Sequence, residues 1–316
     1  REVPEDWAQQ VAGWRQILRG AAPHDGAPDA NDEYYFYQSL LGAWPAELCD
    51  SGALDERALA AFGGRLRAAM IKAVREAKRH TTWAAPDERY EAAVVALVEN
   101  ALGSRPFLGQ FVPFASRIAR LGVHSSLVQL ALKPTAPGVP NIFQGTETWD
   151  LSLVDPDTRR RVDFAHRAML LESVDEGLEG DRARMLAQWL REWHDGRIKV
   201  ATMRVLLALR ARAAKLFASA VYEPCAVTGP RADELIAYVR RHERDFVVTA
   251  VQRFPVRAER AREWRGTRIR APGAADGLVD VLTGRTVSGD LDPAELFTTL
   301  PVAVLERSAT HGKTSR

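Results

Sequence analysis

The chain is poor in the residues that announce chemistry most directly. Its 316 residues include only two cysteines, Cys49 and Cys225, far apart in sequence. They give neither a disulfide framework nor a cysteine-based zinc site, and they point to a reducing, cytoplasmic compartment. Lysine is also scarce: six of the 43 basic residues are Lys and the rest Arg, which reads as a compositional habit. No apolar run approaches the roughly 18–20 residues of a membrane-spanning helix, so a membrane partner is not expected. There is no excess of one charge: 43 basic residues face 41 acidic ones, for a net +2. Nucleic acid is therefore not an expected partner, because no positive surplus is present to displace counterions. Metal and nucleotide signatures are missing as well. The seven histidines form no HExxH pair, Gly63-Gly64 lacks the third glycine of a dinucleotide loop, and no GxSxG nucleophile elbow occurs. Gly312-Lys313-Thr314 looks like the end of a phosphate-binding loop, but Arg307 stands where that loop needs its first glycine. The chain starts at Arg1 with no apolar leader behind it, so either a leader has been removed or the chain is a piece of something longer.

What is present is ordinary globular material, 46% hydrophobic and 27% charged, of a length that suggests roughly two domains. Residues 1–126 read as mainly helical. Trp7, Val11, Trp14 and Leu18 recur at helical spacing, as do Leu66, Met70, Val74 and Ala77, and Tyr90, Val94, Leu97 and Val98. Asn31 is the expected N-cap of a helix carrying Tyr34, Tyr37, Leu40 and Leu41. The texture changes near residue 127. The apolar stretch at 139–143, bounded by Gly and Pro, reads as a buried strand, and Leu151–Asp163 as a charged loop. Helices are expected again at 180–193 and 198–217, within a segment 127–221. Beyond that the period falls to two. Leu235–Val239 and Phe246–Val251 read as a hairpin, with further strands near 267–271, 278–287 and 300–305. Asp292-Pro293-Ala294-Glu295 reads as a helix start. Residues 222–306 are thus a β-rich module, and 307–316 a tail.

Residues 137–163 read PGVPNIFQGTETWDLSLVDPDTRRRVD. This stretch resembles the last barrel strand and following loop of the α-amylase superfamily, and within it the maltooligosyltrehalose synthase family. Asn31–Pro45 (NDEYYFYQSLLGAWP), Met70–Trp83 (MIKAVREAKRHTTW), Lys199–Arg210 and Leu278–Leu305 resemble the same family. Asn141, Phe143, Thr148, Thr158 and Arg161 are mild departures from its usual pattern. The resemblance implies an α/β plus all-β architecture: the C-terminal part of a (β/α)8 barrel with a helical insertion, followed by a small β-rich domain. It also implies an isomerase of trehalose biosynthesis that turns the reducing-end α-1,4 linkage of a maltooligosaccharide into an α,α-1,1 linkage, with no cofactor and no metal.

The superfamily's catalytic carboxylates follow barrel strands four, five and seven. The last stands in a His-Asp pair, within a stretch resembling THDTKRSED in this family. Nothing ahead of Asn31 matches that stretch. His24-Asp25 lacks its context, and His194-Asp195 lies too far downstream. A full barrel takes about 250 residues, and one barrel strand is recognised here. The expectation is a C-terminal fragment or one half of a split gene, with no catalytic residue of its own and the N-terminal barrel portion as a partner. Glu147 matches a strand-eight carboxylate that is not one of the catalytic three.

The candidate maltooligosaccharide-binding residues are Trp149, Asp155, Asp157, Arg159 and Arg160 in the loop, and Lys78, His80 and Trp83 at the end of the Met70–Trp83 motif. A packing role for Trp149, a salt-bridge network for the loop and a helix-capping role for the cations are the alternatives. Tyr34, Tyr35, Tyr37 and Trp44, and the Trp189 and Trp193 pair, read as core rather than glycan platform. Two further functions stay open: a non-catalytic glycan-binding or accessory protein derived from such an enzyme, and a relative that hydrolyses α-1,4-glucans.

Overall fold

The structure, a computed structural model, describes residues 2–19, 26–49, 54–243, 245–260, 263–273, 277–287 and 291–307. His24-Asp25, Gly312-Lys313-Thr314 and the tail beyond Arg307 lie outside these. The chain divides into two compact units. One comprises Arg1–Arg120 with Asp150–Arg161, the other Leu121–Trp149 with Val162–Arg316.

The first unit is helical: α1 (Pro4–Leu18), α2 (Ala30–Gly42), α3 (Glu56–Ala77), α4 (Glu88–Gly103) and the first half of α5 (Arg105–Thr135). Aspartates start three of these helices, because a short carboxylate can accept from the unpaired N–H groups of the first turn. Asp55 accepts from Arg57 and Ala58 N–H, and Asp87 from Tyr90 N–H. Asp29, not Asn31, caps α2, accepting from Asp32 N–H at 2.9 Å, since the helix begins two residues earlier than expected. Aromatic side chains make the core. Trp14 is fully buried, with ring centroids 5.3 Å from Phe111 and 5.7 Å from Tyr37. Tyr37 and Trp44 are core, as expected, whereas Tyr34 and Tyr35 are exposed.

The second unit takes the rest of α5, then α6 (Phe164–Leu178), α7 (Arg182–Arg191), α8 (Arg197–Arg212) and α9 (Ala214–Ser219). The described strands follow: β1 (Val221–Pro224), β2 (Ala226–Thr228), β3 (Leu235–His242), β4 (Asp245–Gln252), β5 (Arg268–Arg270), β6 (Leu278–Asp280), β7 (Thr286–Val287) and β8 (Val302–Arg307). Two short helices interrupt them, α10 (Pro255–Arg260) and α11 (Pro293–Leu296), the latter capped by Asp292 as expected. An antiparallel sheet runs β1-β3-β4-β8-β6-β7, and β2 pairs with β5. Side chains alternate across a strand. Phe246, Val248 and Ala250 of β4 therefore enter one apolar cluster with Leu235, Val239 and Leu305. On the other face, Tyr238 of β3 meets Thr135 at the end of α5, 2.7 Å between hydroxyl oxygens. Trp189 and Trp193 are buried, as their spacing suggested.

The strand expected at 139–143 is not formed. Those residues are coil, and Val139 is 93% and Phe143 60% exposed. A parallel strand needs backbone partners along its edges, and among the described residues no strand precedes Val221. The apolar run Leu127–Leu132 lies inside α5. No helix among the described residues is long and apolar enough to cross a membrane.

Candidate functional site

The segment singled out by sequence divides between the units after Trp149. In the second unit the Trp149 indole is held on three sides. Its N–H donates to the Trp193 carbonyl at 2.6 Å, and its ring meets that of Trp193 edge-on. The Lys199 ammonium lies 5.5 Å from its ring centroid and also donates to the Thr148 carbonyl at 2.7 Å. Such a cation over an indole face is attractive. Gly196 makes this approach possible. It has φ +81°, and a Cβ there would come within 3.1 Å of Thr148. Glu147 is bound by Arg167, Nε to Oε2 at 3.0 Å, and so serves as an ion-pair partner.

In the first unit, residues 150–161 are tied to α3 by Arg65, which sequence reasoning missed. Its guanidinium reaches Asp157 with Nε to Oδ1 at 3.0 Å and Nη2 to Oδ2 at 2.9 Å, and the Leu151 carbonyl at 2.8 Å. Leu153 N–H also donates to Asp157 Oδ2 at 2.8 Å. Burial works against the Asp157 carboxylate. The hydrogen bonds from Arg65 and Leu153 N–H, with the Arg65 and Arg160 charges, outweigh it and hold the carboxyl below its usual range. Asp157 is thus engaged in shaping the loop. Asp155 pairs with Arg159 at 2.5 Å, and Arg160 donates to the Asp157 carbonyl and to Ser152 Oγ, both at 3.1 Å. Asp155, Arg159 and Arg160 are all exposed.

The other candidates sit where α3 ends. Lys78 closes the helix in the left-handed conformation, φ 55°, and makes no ion pair among the described residues. The chain then turns back. His80 stacks on Tyr90, with centroids 4.4 Å apart, and its Nε2 lies 2.9 Å from Asp29 Oδ2. Tyr90 donates to Asp32 Oδ2 at 2.5 Å. The backbone N–H of Asp32, and next the side chain of His80, hold the Asp29 carboxyl below its usual range. Ligand atoms of Asp29, Asp32 and His80 lie within 4.8 Å of one another, a spacing at which a metal ion could be held. Thr81 is buried and donates to Glu91, whose carboxylate receives a bidentate Arg75, both bonds 2.7 Å. Trp83 lies over that same guanidinium at 4.8 Å and is 57% exposed.

Seven of the eight candidates, all but Trp149, therefore share one unit with α3. Arg65 and Lys78 are thirteen residues apart, about 20 Å at 1.5 Å per residue, so the loop and the His80 turn are separate stations along one helix. Only Trp83 offers a large exposed ring; His80 and Asp157 are already hydrogen-bonded. The contacts of Arg65 with Asp157, Asp29 with His80 and Tyr90 with Asp32 carried no local signal, because the partners are remote in sequence.

No protein-family model matches the chain. A Mycobacterium tuberculosis (strain H37Rv) protein, provisionally named maltooligosyl trehalose synthase, is 33% identical over 306 residues, 97% of this chain and 34% of that protein. The structure of maltooligosyltrehalose synthase from Arthrobacter ramosus superposes with a TM-score of 0.76 at 30% identity, covering 97% of this chain and 35% of that one. A hypothetical maltooligosyl trehalose synthase from Sulfolobus tokodaii gives 0.68 at 28% identity, with 97% and 35% coverage. The chain spans about a third of the length of the relatives it matches. It belongs to the maltooligosyl trehalose synthase family and corresponds to a C-terminal portion of those proteins.

Proposed function

We propose that the chain works as part of a maltooligosyltrehalose synthase of trehalose biosynthesis, in the cytoplasm. The reaction is an intramolecular transglucosylation, a (1→4)-α-D-glucan 1-α-D-glucosylmutase isomerisation. Its logic is that of a retaining glycosidase: one carboxylate attacks the anomeric carbon, and a second carboxyl group protonates the leaving oxygen and later deprotonates the acceptor. The released glucose must stay bound while water is kept out, so that its own anomeric hydroxyl becomes the acceptor. The nucleophile and acid/base belong to the barrel portion of the relatives that this chain does not span. In this reading the segment 127–221 completes that barrel. Trp149, Trp83, Lys78, His80 and the loop residues Asp155, Asp157, Arg159 and Arg160 serve the maltooligosaccharide, Asp157 by shaping the loop.

The observation that carries this reading is 33% identity sustained over 97% of the chain rather than over one motif. The test is to incubate the chain with maltopentaose, alone and co-expressed with the remaining portion of a relative. Loss of reducing ends without glucose release, only in the co-expressed sample, is the expected result. Glucose release exceeding it would mean a hydrolase. Binding without turnover in both samples would mean a glycan-binding protein.

A further inference from the structure

Residues 136–149 have almost no backbone hydrogen bonds of their own: Ala136 N–H donates back to Leu132 and Thr146 N–H to Phe143. The segment is nevertheless held at regular intervals by cations. Arg210 Nη2 donates to the Gly138 carbonyl at 2.6 Å and Lys133 Nζ to that of Asn141 at 3.1 Å. Arg167 Nη2 donates to Gly145 at 2.8 Å, and Lys199 Nζ to Thr148 at 2.7 Å. The gripped carbonyls are three, four and three residues apart, and the grips come from three helices, α5, α6 and α8. Charged donors make stronger bonds than neutral ones. A chain fixed through its carbonyls leaves its side chains free: Val139, Asn141, Phe143 and Gln144 are all exposed.

Resting on the functional reading above, we propose that Lys133, Arg167, Lys199 and Arg210 are positioning residues, a row of carbonyl grips that sets the path of residues 138–149 and so decides whether a glucosyl unit is transferred or lost to water. The row does the work that neighbouring strands do for a paired segment. It fixes the backbone while leaving one side open to substrate. Lys199 couples the row to Trp149, because the same ammonium that grips Thr148 lies over the indole. A displaced segment would leave room for water beside the reacting sugar, and small misplacements of positioning groups are costly in rate, about 100-fold for 1 Å.

Lys199→Met and Lys133→Met each remove one grip and keep the aliphatic stem; Lys199→Arg restores a charged donor. In the chain itself, amide hydrogen exchange over 139–149 should quicken at least about tenfold in the Met variants, with β3 and β4 unchanged. In the co-expressed enzyme, Lys199→Met should lower kcat more than it changes KM and raise the share of glucose in the products, and Lys199→Arg should return both towards the parent. Unchanged exchange and product ratio in both Met variants would overturn the proposal. So would a fall in kcat with the glucose share unmoved, which a merely structural role predicts. If the unsubstituted co-expressed enzyme forms no transfer product, the functional reading fails and the transfer role with it, while quickened exchange would still identify the row as what holds the segment. Lys133 is exposed at the end of α5, so its variant tests the row even if Lys199→Met does not fold.

Discussion

Arg65 and Asp157, ninety-two residues apart, meet through two parallel hydrogen bonds of 3.0 and 2.9 Å, and the same guanidinium takes the Leu151 carbonyl. One side chain on α3 therefore closes a twelve-residue loop by its acid and by its backbone. Bonds to charged groups contribute about 1.5–3 kcal/mol each when a partner is removed. Arg65→Met should destabilise the first unit by about 2–3 kcal/mol in urea unfolding. Asp157→Asn should cost slightly less, because the Leu153 N–H bond survives. The double variant should cost less than the sum, since the two changes remove one shared interaction. Additive losses would mean that the pair is not coupled.

Acid should weaken this unit through three carboxylates. Glu91 is held below its usual range first by its hydrogen bonds to Arg75, against an opposing cost of burial, and Asp29 and Asp157 are shifted the same way. A carboxyl with a depressed folded pKa binds fewer protons folded than unfolded. Its contribution is complete above the unfolded value near 4 and is lost as pH falls through the folded value. Tm should hold steady from pH 7 to about 5 and fall below it. Glu91→Gln should lower Tm at pH 7 and flatten the acid limb. An acid limb as steep as the parent's would place the titrating groups elsewhere.

The legible parts of the fold were those with one face buried. Leu235, Ala237 and Val239 alternate into the β cluster, and Leu66, Met70 and Val74 repeat on α3, so period alone revealed them. Helix α6 was not seen because it is apolar on two sides. Leu170, Val174 and Leu178 are buried while Phe164, Ala168 and Leu171 face out, and the combined pattern has no clear period. Residues 139–143 have strand composition, but the Asn141 carbonyl and that of the preceding Gly138 go to side chains, and the Phe143 carbonyl goes to Thr146, not to a neighbouring strand. At the candidate site, residue types and the loop were readable. The links of Arg65 to Asp157, Asp29 to His80 and Tyr90 to Asp32 were not, because only the folded chain brings those partners near.

Helix α6 and helix α7 approach where Gly177 faces Trp189. A Cβ on Gly177 would stand 2.6 Å from Cζ2 and 2.8 Å from Cη2 of an indole that is fully buried. Gly177→Ala gains up to about 1 kcal/mol of helix propensity, yet overpacking a rigid ring costs about 1–3 kcal/mol. The variant should be net destabilised by about 1–2 kcal/mol in urea unfolding. Adding Trp189→Phe, which removes the obstructing ring atoms, should relieve part of the loss despite its own cavity. A Gly177→Ala chain as stable as the parent would show that the helices can separate without cost.

Trp83 is the candidate whose loss should affect sugar and leave the fold almost intact. Its ring lies over Arg75, and more than half of its surface is open. An exposed cation–π contact contributes about 0.5–1 kcal/mol, so Trp83→Ala should change stability by no more than that. Arg75 keeps both bonds to Glu91, which fix the guanidinium independently of the ring. A sugar stacked on the indole should lose about tenfold in affinity, about 1.4 kcal/mol, when maltopentaose is titrated into the co-expressed enzyme. Trp149→Ala differs in kind: it also removes the bond to the Trp193 carbonyl and the surface under Lys199, so affinity and stability should fall together. Superimposable titrations for the parent and Trp83→Ala would assign Trp83 to the surface and leave Trp149 as the aromatic to test.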